Sequence, residues 1–321
     1  MTVFWRNCME FIKMRVERRR ELTPSVTEFT LKPIEDVELP GFMSGAHITV
    51  ETPSGAMRRY SLVNDGSEPK EYVIAVKREF KSRGGSASMH DEAAKGTELN
   101  VEPPENDFPM SSDAQEYLLI AGGIGITPIY AMASDLERQG KNFRIIYCTR
   151  SEEETAYLDE LSSEFGDRIT VHHDDGDPEK VYDFWDHFAE PQPMHVYCCG
   201  PAPLMEEIDA ISGHWPEGRV HFEDFKPVEV VREDDTPFEV ELKKSGKTVT
   251  IPDDRSILET LRDAGFATVS SCESGTCGTC KTRLLEGNPD HRDMVLMGEE
   301  KDDFIMICVS RAKSERLVLD L

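Results

Sequence analysis

The chain runs through three successive patterns of apolar and polar positions. Over residues 14–110, apolar and polar side chains alternate with a period of two, as in Val26-Thr-Glu-Phe-Thr-Leu31, His47-Ile-Thr-Val-Glu51 and Tyr72-Val-Ile-Ala-Val76. Pro, Gly, Asn and Asp separate these stretches, and helical periodicity is scarce. Many short strands joined by such turns predict an antiparallel β-barrel. The middle of the chain changes period. Tyr117-Leu-Leu-Ile-Ala121 is a short apolar run, followed by glycines and by a helical pattern that continues to Leu136 and stops at Gly140. Further apolar runs at 143–148, 169–172 and 195–199 are separated by helix-length segments. Strands alternating with helices predict a doubly wound α/β parallel sheet.

A polar stretch, Lys226-Pro-Val-Glu-Val-Val-Arg-Glu-Asp-Asp-Thr-Pro237, reads as a linker. Beyond it, Phe238-Glu-Val-Glu-Leu242 and Thr248-Val-Thr-Ile251 flank Ser245-Gly246 as a hairpin. A helix is expected over 256–264, with Gly265 as its stop. The boundaries that follow are 10–112, 113–226, a linker at 227–236, and 237–321.

Within this frame the cysteines change the picture most. Cys272-Glu-Ser-Gly-Thr-Cys277-Gly-Thr-Cys280 is C-x4-C-x2-C, and Cys308 follows after 27 residues. This is the spacing of a plant-type [2Fe–2S] cluster, in which two irons need four thiolates, three from one tight loop and one from a distant strand. Gly275 and Gly278 let the loop curl so that amides can point at sulfur. A zinc site would show C-x2-C pairs, and a [4Fe–4S] cluster the run C-x2-C-x2-C. Among the other cysteines, Cys148 and Cys198 are expected to pack as small buried apolar residues, and Cys8 to be exposed. Leu284, Leu285, Met294, Leu296, Ile305 and Ile307 are expected to be core. Lys281, Arg283 and Arg311 read as solvated charge near the cluster. His172-His-Asp-Asp175 reads as a polar loop.

The net charge is −26, from 62 acidic and 36 basic side chains. No basic excess exists to displace counterions from nucleic acid or an anionic membrane, so neither is an expected partner. A protein with a basic docking face suits the charge better, although solubility alone would also account for it. No apolar run approaches the roughly 20 residues needed to span a bilayer. The first residues lack the features of a signal peptide. A cytoplasmic location is therefore expected.

Four weaker motifs accompany the cysteines. Ala121-Gly-Gly-Ile-Gly-Ile-Thr-Pro128 follows a strand and opens a helix, where glycines permit close approach of a diphosphate. Cys199-Gly-Pro201 ends a later strand and could border the same crevice. Arg58-Arg-Tyr-Ser61 and Arg83-Gly-Gly-Ser86 lie in the barrel region, the latter combining charge with a potential nest of amides.

Taken in order, these motifs resemble the ferredoxin-NADP⁺ reductase superfamily, whose flavin motif is R-x-Y-S, joined to a C-terminal plant-type ferredoxin domain. The stretches YVIAVKR, RGGS, AGGIGITP, HVYCCGP, SSCESGTCG, HRDMVL and CVSRAKS carry the resemblance over nearly the whole chain. It implies a multidomain fold: an antiparallel β-barrel flavin domain, an α/β nucleotide domain and a β-grasp (α+β) ferredoxin domain.

By the resemblance, Arg58, Arg59, Tyr60 and Ser61 line the flavin, and Ala75, Val76 and Lys77 follow its edge. Arg83, Gly84, Gly85 and Ser86 would hold a single phosphate, which favours FMN over FAD. Thr127 is a flavin contact, and Phe225 shields the ring. Gly122, Gly123, Gly125 and Pro128 match the diphosphate loop of a pyridine nucleotide, and Cys199, Gly200 and Pro201 its nicotinamide side. Arg150 lies past the second strand of this domain, and Glu152-Glu-Glu154 would repel a 2′-phosphate, so NADH is expected as donor. The implied function is an oxidoreductase relay from NADH through FMN to the cluster, with no catalytic acid, base or nucleophile. Its implied acceptor is an oxygenase component with a Rieske centre acting on an aromatic carboxylate, and its implied state a monomer. The alternatives are the reductase of a related O-demethylase and a passive ferredoxin-type carrier.

Overall fold

The computed structural model describes residues 11–321 apart from 80–83, 113, 226–231, 233, 271, 272, 274, 276, 277 and 294. Two compact units divide the chain, Met1–Phe225 and Lys226–Leu321.

The first unit opens with six antiparallel strands: β1 (Ile12–Thr23), β2 (Val26–Pro33), β3 (His47–Glu51), β4 (Met57–Ser61), β5 (Tyr72–Lys77) and β6 (Glu98–Val101), in the order β4-β3-β6-β1-β2-β5. The β1–β2 turn is tied by Thr23, whose Oγ1 accepts the Val26 amide at 3.0 Å. Alternation sends Met14, Val16, Phe29, Leu31, Ile48 and Ile74 into one core. Arg18, Arg19 and Arg20 lie on the exposed part of β1, where Arg18 and Arg20 pair with Glu28 across the hairpin. The sheet curls until its two edge strands meet at one bridge, Leu62 opposite Ile74. A helix interrupts the strand pattern: α1 (Gly85–Glu92). The alternation gave no sign of it, because its sequence GSASMHDE carries no continuous apolar stripe.

The parallel sheet follows. Its strands are β7 (Glu116–Gly122), β8 (Asn142–Thr149), β9 (Ile169–His173), β10 (His195–Cys199) and β11 (Val220–Glu223), ordered β11-β10-β7-β8-β9. The helices are α2 (Ile126–Arg138), α3 (Leu158–Phe165), α4 (Trp185–Phe188) and α5 (Ala202–Ser212). Both faces are covered, as a parallel sheet requires. Along β7, Leu119 and Ala121 join a core with Ile126, Ile129 and Ala133 of α2, while Leu118 and Ile120 join Phe188 and Ile208 on the other face.

The second unit contains β12 (Phe238–Leu242), β13 (Lys247–Ile251), β14 (Lys281–Glu286), β15 (Pro289–Asp290), β16 (Phe304–Met306), β17 (Arg311–Ala312) and β18 (Arg316–Leu319), with α6 (Ile257–Asp263) and α7 (Glu300–Asp303). Its main sheet runs β13-β12-β18-β14-β16, with β12 and β18 parallel and the other pairs antiparallel. The expected helix over 256–264 begins at a capping box: Ser256 Oγ accepts the Glu259 amide, and the Glu259 carboxylate accepts the Ser256 amide. Ile257, Leu258 and Leu261 then face the core.

Two expectations fail here. Leu285 is exposed rather than core, because alternation along β14 turns Leu284 inward and Leu285 outward. Arg311 is buried rather than solvated. Met294 and Cys8 lie outside the described residues. Among the described residues, no helix is long and apolar enough to cross a membrane.

Candidate functional site

In the parallel sheet the chain runs from β7 to β8 and β9 on one side, then crosses over to β10 and β11 on the other side of β7. The switch point therefore lies at the carboxyl ends of β7 and β10, where open α/β sheets bind ligands. Both motifs read as nucleotide loops are found there. Their approach is so close that only glycine fits. A Cβ at Gly122 would lie 2.5 Å from the Pro201 ring, and one at Gly200 would lie 3.0 Å from the Gly122 backbone. Gly123 adopts φ +52, a left-handed conformation that side chains disfavour. Thr127 is buried and donates its hydroxyl hydrogen to the Ile124 carbonyl at 3.0 Å, bracing the same loop. Cys199 is fully buried, and burial holds its thiol well above its ordinary pKa.

The barrel supplies a second cradle. Strands β4 and β5 meet at Leu62–Ile74 and, among the described residues, are not paired along Arg58–Ser61, leaving a seam bordered by Ala75, Val76 and Lys77. On β4 the Tyr60 hydroxyl and Ser61 Oγ are buried without a hydrogen-bond partner, a state that costs about 1–3 kcal/mol per group unless a ligand satisfies it. Val76 turns into the barrel core and Ala75 packs with Ala121 and Ile126, so these two can offer only backbone to a ligand in the seam. Arg58 crosses to the start of α1, where a Cβ at Gly85 would lie 2.8 Å from its Nε. Gly84 reaches that helix through φ +89. Amides of a first helical turn beside a guanidinium form an anion site. Ser86 Oγ accepts the Glu79 amide at 3.0 Å. Arg83 lies outside the described residues.

Arg59 is the next residue along β4. Its guanidinium pairs with Asp107 and lies 3.1 Å from His47 Nδ1. It also exerts a charge on Glu223, a residue the motifs did not single out. Glu223 ends β11 in register with Cys199, and its Oε2 is buried without a partner. Burial pushes its carboxyl up to about 8, Asp107 adds to the rise, and Arg59 opposes it. Phe225, two residues on, is 40% exposed. The sequence signal for Glu223 was only its place inside His221-Phe-Glu-Asp-Phe225, where an acid reads as surface.

In the second unit, Cys280 and Cys308 are both buried. Cys308 sits in the turn between β16 and β17, where the Val309 and Ser310 amides both donate to the Met306 carbonyl. The loop before Cys280 winds through left-handed residues, Glu273 (φ +51), Gly275 (φ +79) and Gly278 (φ +80). Glu273 is held there by Arg262 of α6, 2.8 Å away. Cys272 and Cys277 lie outside the described residues. These two buried thiols, one after a glycine-rich loop and one in a turn distant in sequence, are two of the four thiolates that a [2Fe–2S] cluster requires.

Comparison with known proteins agrees with this geometry. Residues 119–210 match the oxidoreductase NAD-binding domain family, and residues 240–313 the 2Fe-2S iron-sulfur cluster binding domain family. The chain is 48% identical over 314 residues to phthalate dioxygenase reductase of Burkholderia cepacia, covering 97% of this chain and 98% of that one. It is likewise 48% identical to the phthalate 4,5-dioxygenase oxygenase reductase subunit of Pseudomonas putida, covering 97% of each. A solved structure titled as phthalate dioxygenase reductase, a modular structure for electron transfer from pyridine nucleotides to [2Fe–2S], superposes with a TM-score of 0.86 over 97% of this chain and 98% of that one.

The chain belongs to the phthalate dioxygenase reductase family. It is an oxidoreductase of the iron–sulfur flavoprotein type, with NADH as donor and FMN and a [2Fe–2S] cluster as carriers. The residues present fit both groups: orphaned hydroxyls and an anion site in the barrel seam for FMN, and buried cysteines for the cluster. Of the family motifs expected from sequence, the nucleotide loops converge on one crevice, and Arg58, Tyr60, Ser61 and Gly85 border one seam. Arg59, between Arg58 and Tyr60 on β4, pairs with Asp107. His173 bonds Thr149 through Nδ1 at 2.8 Å, and Cys148 and Cys198 pack against the face of the sheet that carries α5.

Proposed function

We propose that this chain passes electrons from NADH to the Rieske centre of a phthalate-type aromatic-ring dioxygenase, acting as a cytoplasmic monomer. The observation that carries the reading is the pair of 48% identical relatives, each named for a phthalate dioxygenase and each matched over nearly its whole length. The working parts correspond to residues 10–112 for FMN, 113–226 for the nucleotide and 237–321 for the cluster.

When bound, FMN would supply the conversion of a two-electron donor to one-electron transfer, and the cluster would supply one-electron carriage. The chain's own residues hold, orient and shield. Arg58, Gly84, Gly85 and Ser86, with Arg83, hold the flavin phosphate by charge and amide hydrogen bonds. Tyr60 and Ser61 give their unsatisfied hydroxyls to the ring, with Arg59, Thr127 and the strand Ala75–Lys77 at its border. Phe225, partly exposed, would shield the ring. Gly122, Gly123, Gly125 and Pro128 receive the NADH diphosphate at the start of α2, and Cys199, Gly200 and Pro201 receive the nicotinamide side. Glu152–Glu154, just past the end of β8, disfavour a 2′-phosphate and with it NADPH. Cys272, Cys277, Cys280 and Cys308 hold the cluster.

The test is reconstitution with the oxygenase component of a phthalate dioxygenase under NADH and oxygen. Coupled NADH consumption and substrate hydroxylation are expected. Turnover only with oxygenases of another substrate class would reject the assignment of partner.

A further inference from the structure

The segment entering the second unit is bound to it by an unusual charge cluster. Arg311 is 1% exposed and Arg292 is 7% exposed. Both guanidiniums share one carboxylate, Asp235. Arg292 donates to it through Nη1 at 2.8 Å and Nη2 at 2.5 Å, and Arg311 Nε lies 3.3 Å from it. Arg292 Nε also donates to Asp290 at 2.7 Å. Arg311 is otherwise satisfied by the carbonyls of Pro252, Thr236 and Arg255, with its guanidinium over the Phe238 ring.

This cluster is continuous with the chain around Cys308. Arg311 lies three residues beyond that cysteine. The Arg292 amide donates to Ser310 Oγ at 3.2 Å, and Ser310 in turn donates to Asp293 at 3.2 Å. Asp293 accepts the amides of Val295 and Leu296, and Val295 packs against Gly278 of the cysteine loop, 3.5 Å from where a Cβ would stand. Buried charges act through a medium of low effective dielectric and are little screened by salt. A reduced cluster carries one more negative charge than an oxidised one, so fixed charges near it enter its potential directly.

We propose that Asp235, Arg292 and Arg311 set the reduction potential of the cluster: the two buried arginines raise it, and Asp235 limits the rise while holding both in place. These are positioning residues, acting through charge and not as ligands. The proposal rests on Cys308 and its three partner cysteines carrying the cluster.

The test is a redox titration of the purified full-length holoprotein, followed by the electron paramagnetic resonance of the reduced cluster. Asp235→Asn should shift the potential up and Arg292→Gln should shift it down, because they remove charges of opposite sign. The double variant should return close to the wild type, and Arg292→Lys, which keeps the charge, should leave the potential in place. A merely structural contact would move both single variants in the same direction, since each breaks the same bonds. That outcome, or no shift in either, overturns the proposal. If Asp235→Asn fails to retain a cluster, Arg292→Gln against Arg292→Lys decides: a downward shift only in the former supports the proposal, and equal potentials reject it. A wild-type protein without a [2Fe–2S] signal would reject the cluster assignment itself, a separate failure.

Discussion

Gly125 sits directly against the carbonyl of Cys199: a Cβ at residue 125 would lie 2.1 Å from that oxygen. The contact joins the loop after β7 to the end of β10, the two chain segments at the switch point of the parallel sheet. Backbone meets backbone here, so no flexible side chain can yield.

Gly125→Ala is therefore expected to push the two loops apart. Overpacking of this kind costs about 1–3 kcal/mol. If that cost falls on the geometry that receives NADH, the KM for NADH rises roughly tenfold or more, with FMN content retained. Steady-state kinetics beside a flavin absorbance spectrum checks this. An unchanged KM would show that the crevice does not depend on the contact.

Gly85→Ala acts on the other cradle. The new methyl would lie 2.8 Å from Arg58 Nε and 3.0 Å from its Cγ, so the arginine must leave the start of α1. Loss of one charge-assisted phosphate contact, worth about 1.5–3 kcal/mol, weakens FMN binding by roughly ten- to a hundredfold. Titration of the deflavinated protein with FMN, read by flavin fluorescence, measures it. The cluster signal should be untouched.

Glu223 gives the chain a pH dependence of stability with a definite sign. Its carboxyl is raised in the folded state from an ordinary 4.5 to about 8. Between these values the unfolded chain has released the proton and the folded chain keeps it. The contribution is complete below about 4.5, declines as pH rises toward 8, and is flat beyond. Glu223→Gln removes this decline. The gap in thermal midpoint between variant and wild type should thus widen in the variant's favour from about pH 5 to pH 8 and stay constant above. A constant gap over the whole range would mean that Glu223 is ionised in the folded protein.

The parts of this architecture visible in the sequence are those where burial and local chemistry agree. His195-Val-Tyr-Cys-Cys199 is buried throughout and reads as an interior parallel strand, and Ser256 with Glu259 announces the start of α6. The C-x4-C-x2-C spacing stands out because cluster geometry leaves little freedom. Where polarity and burial disagree, the sequence misleads. Helix α1 is held by its neighbours, Met89 reaching the barrel core while most of its residues are polar. Glu223 and Arg311 are ionisable groups whose burial is decided by distant chain segments, the barrel residue Arg59 for one and Asp235 for the other. Leu285 reads as core by composition, but the pleat of β14 turns it to solvent.

The central claim is that electrons enter as hydride at the crevice between Gly125 and Cys199 and leave singly through the cluster at Cys308. Anaerobic mixing of the purified holoprotein with NADH, read together by flavin absorbance and by the paramagnetic signal of the cluster, tests it most directly. The account predicts loss of the oxidised flavin band followed by a reduced [2Fe–2S] signal, with a Cys308→Ala variant losing the second and keeping the first. Flavin reduction that leaves an intact wild-type cluster oxidised would contradict it.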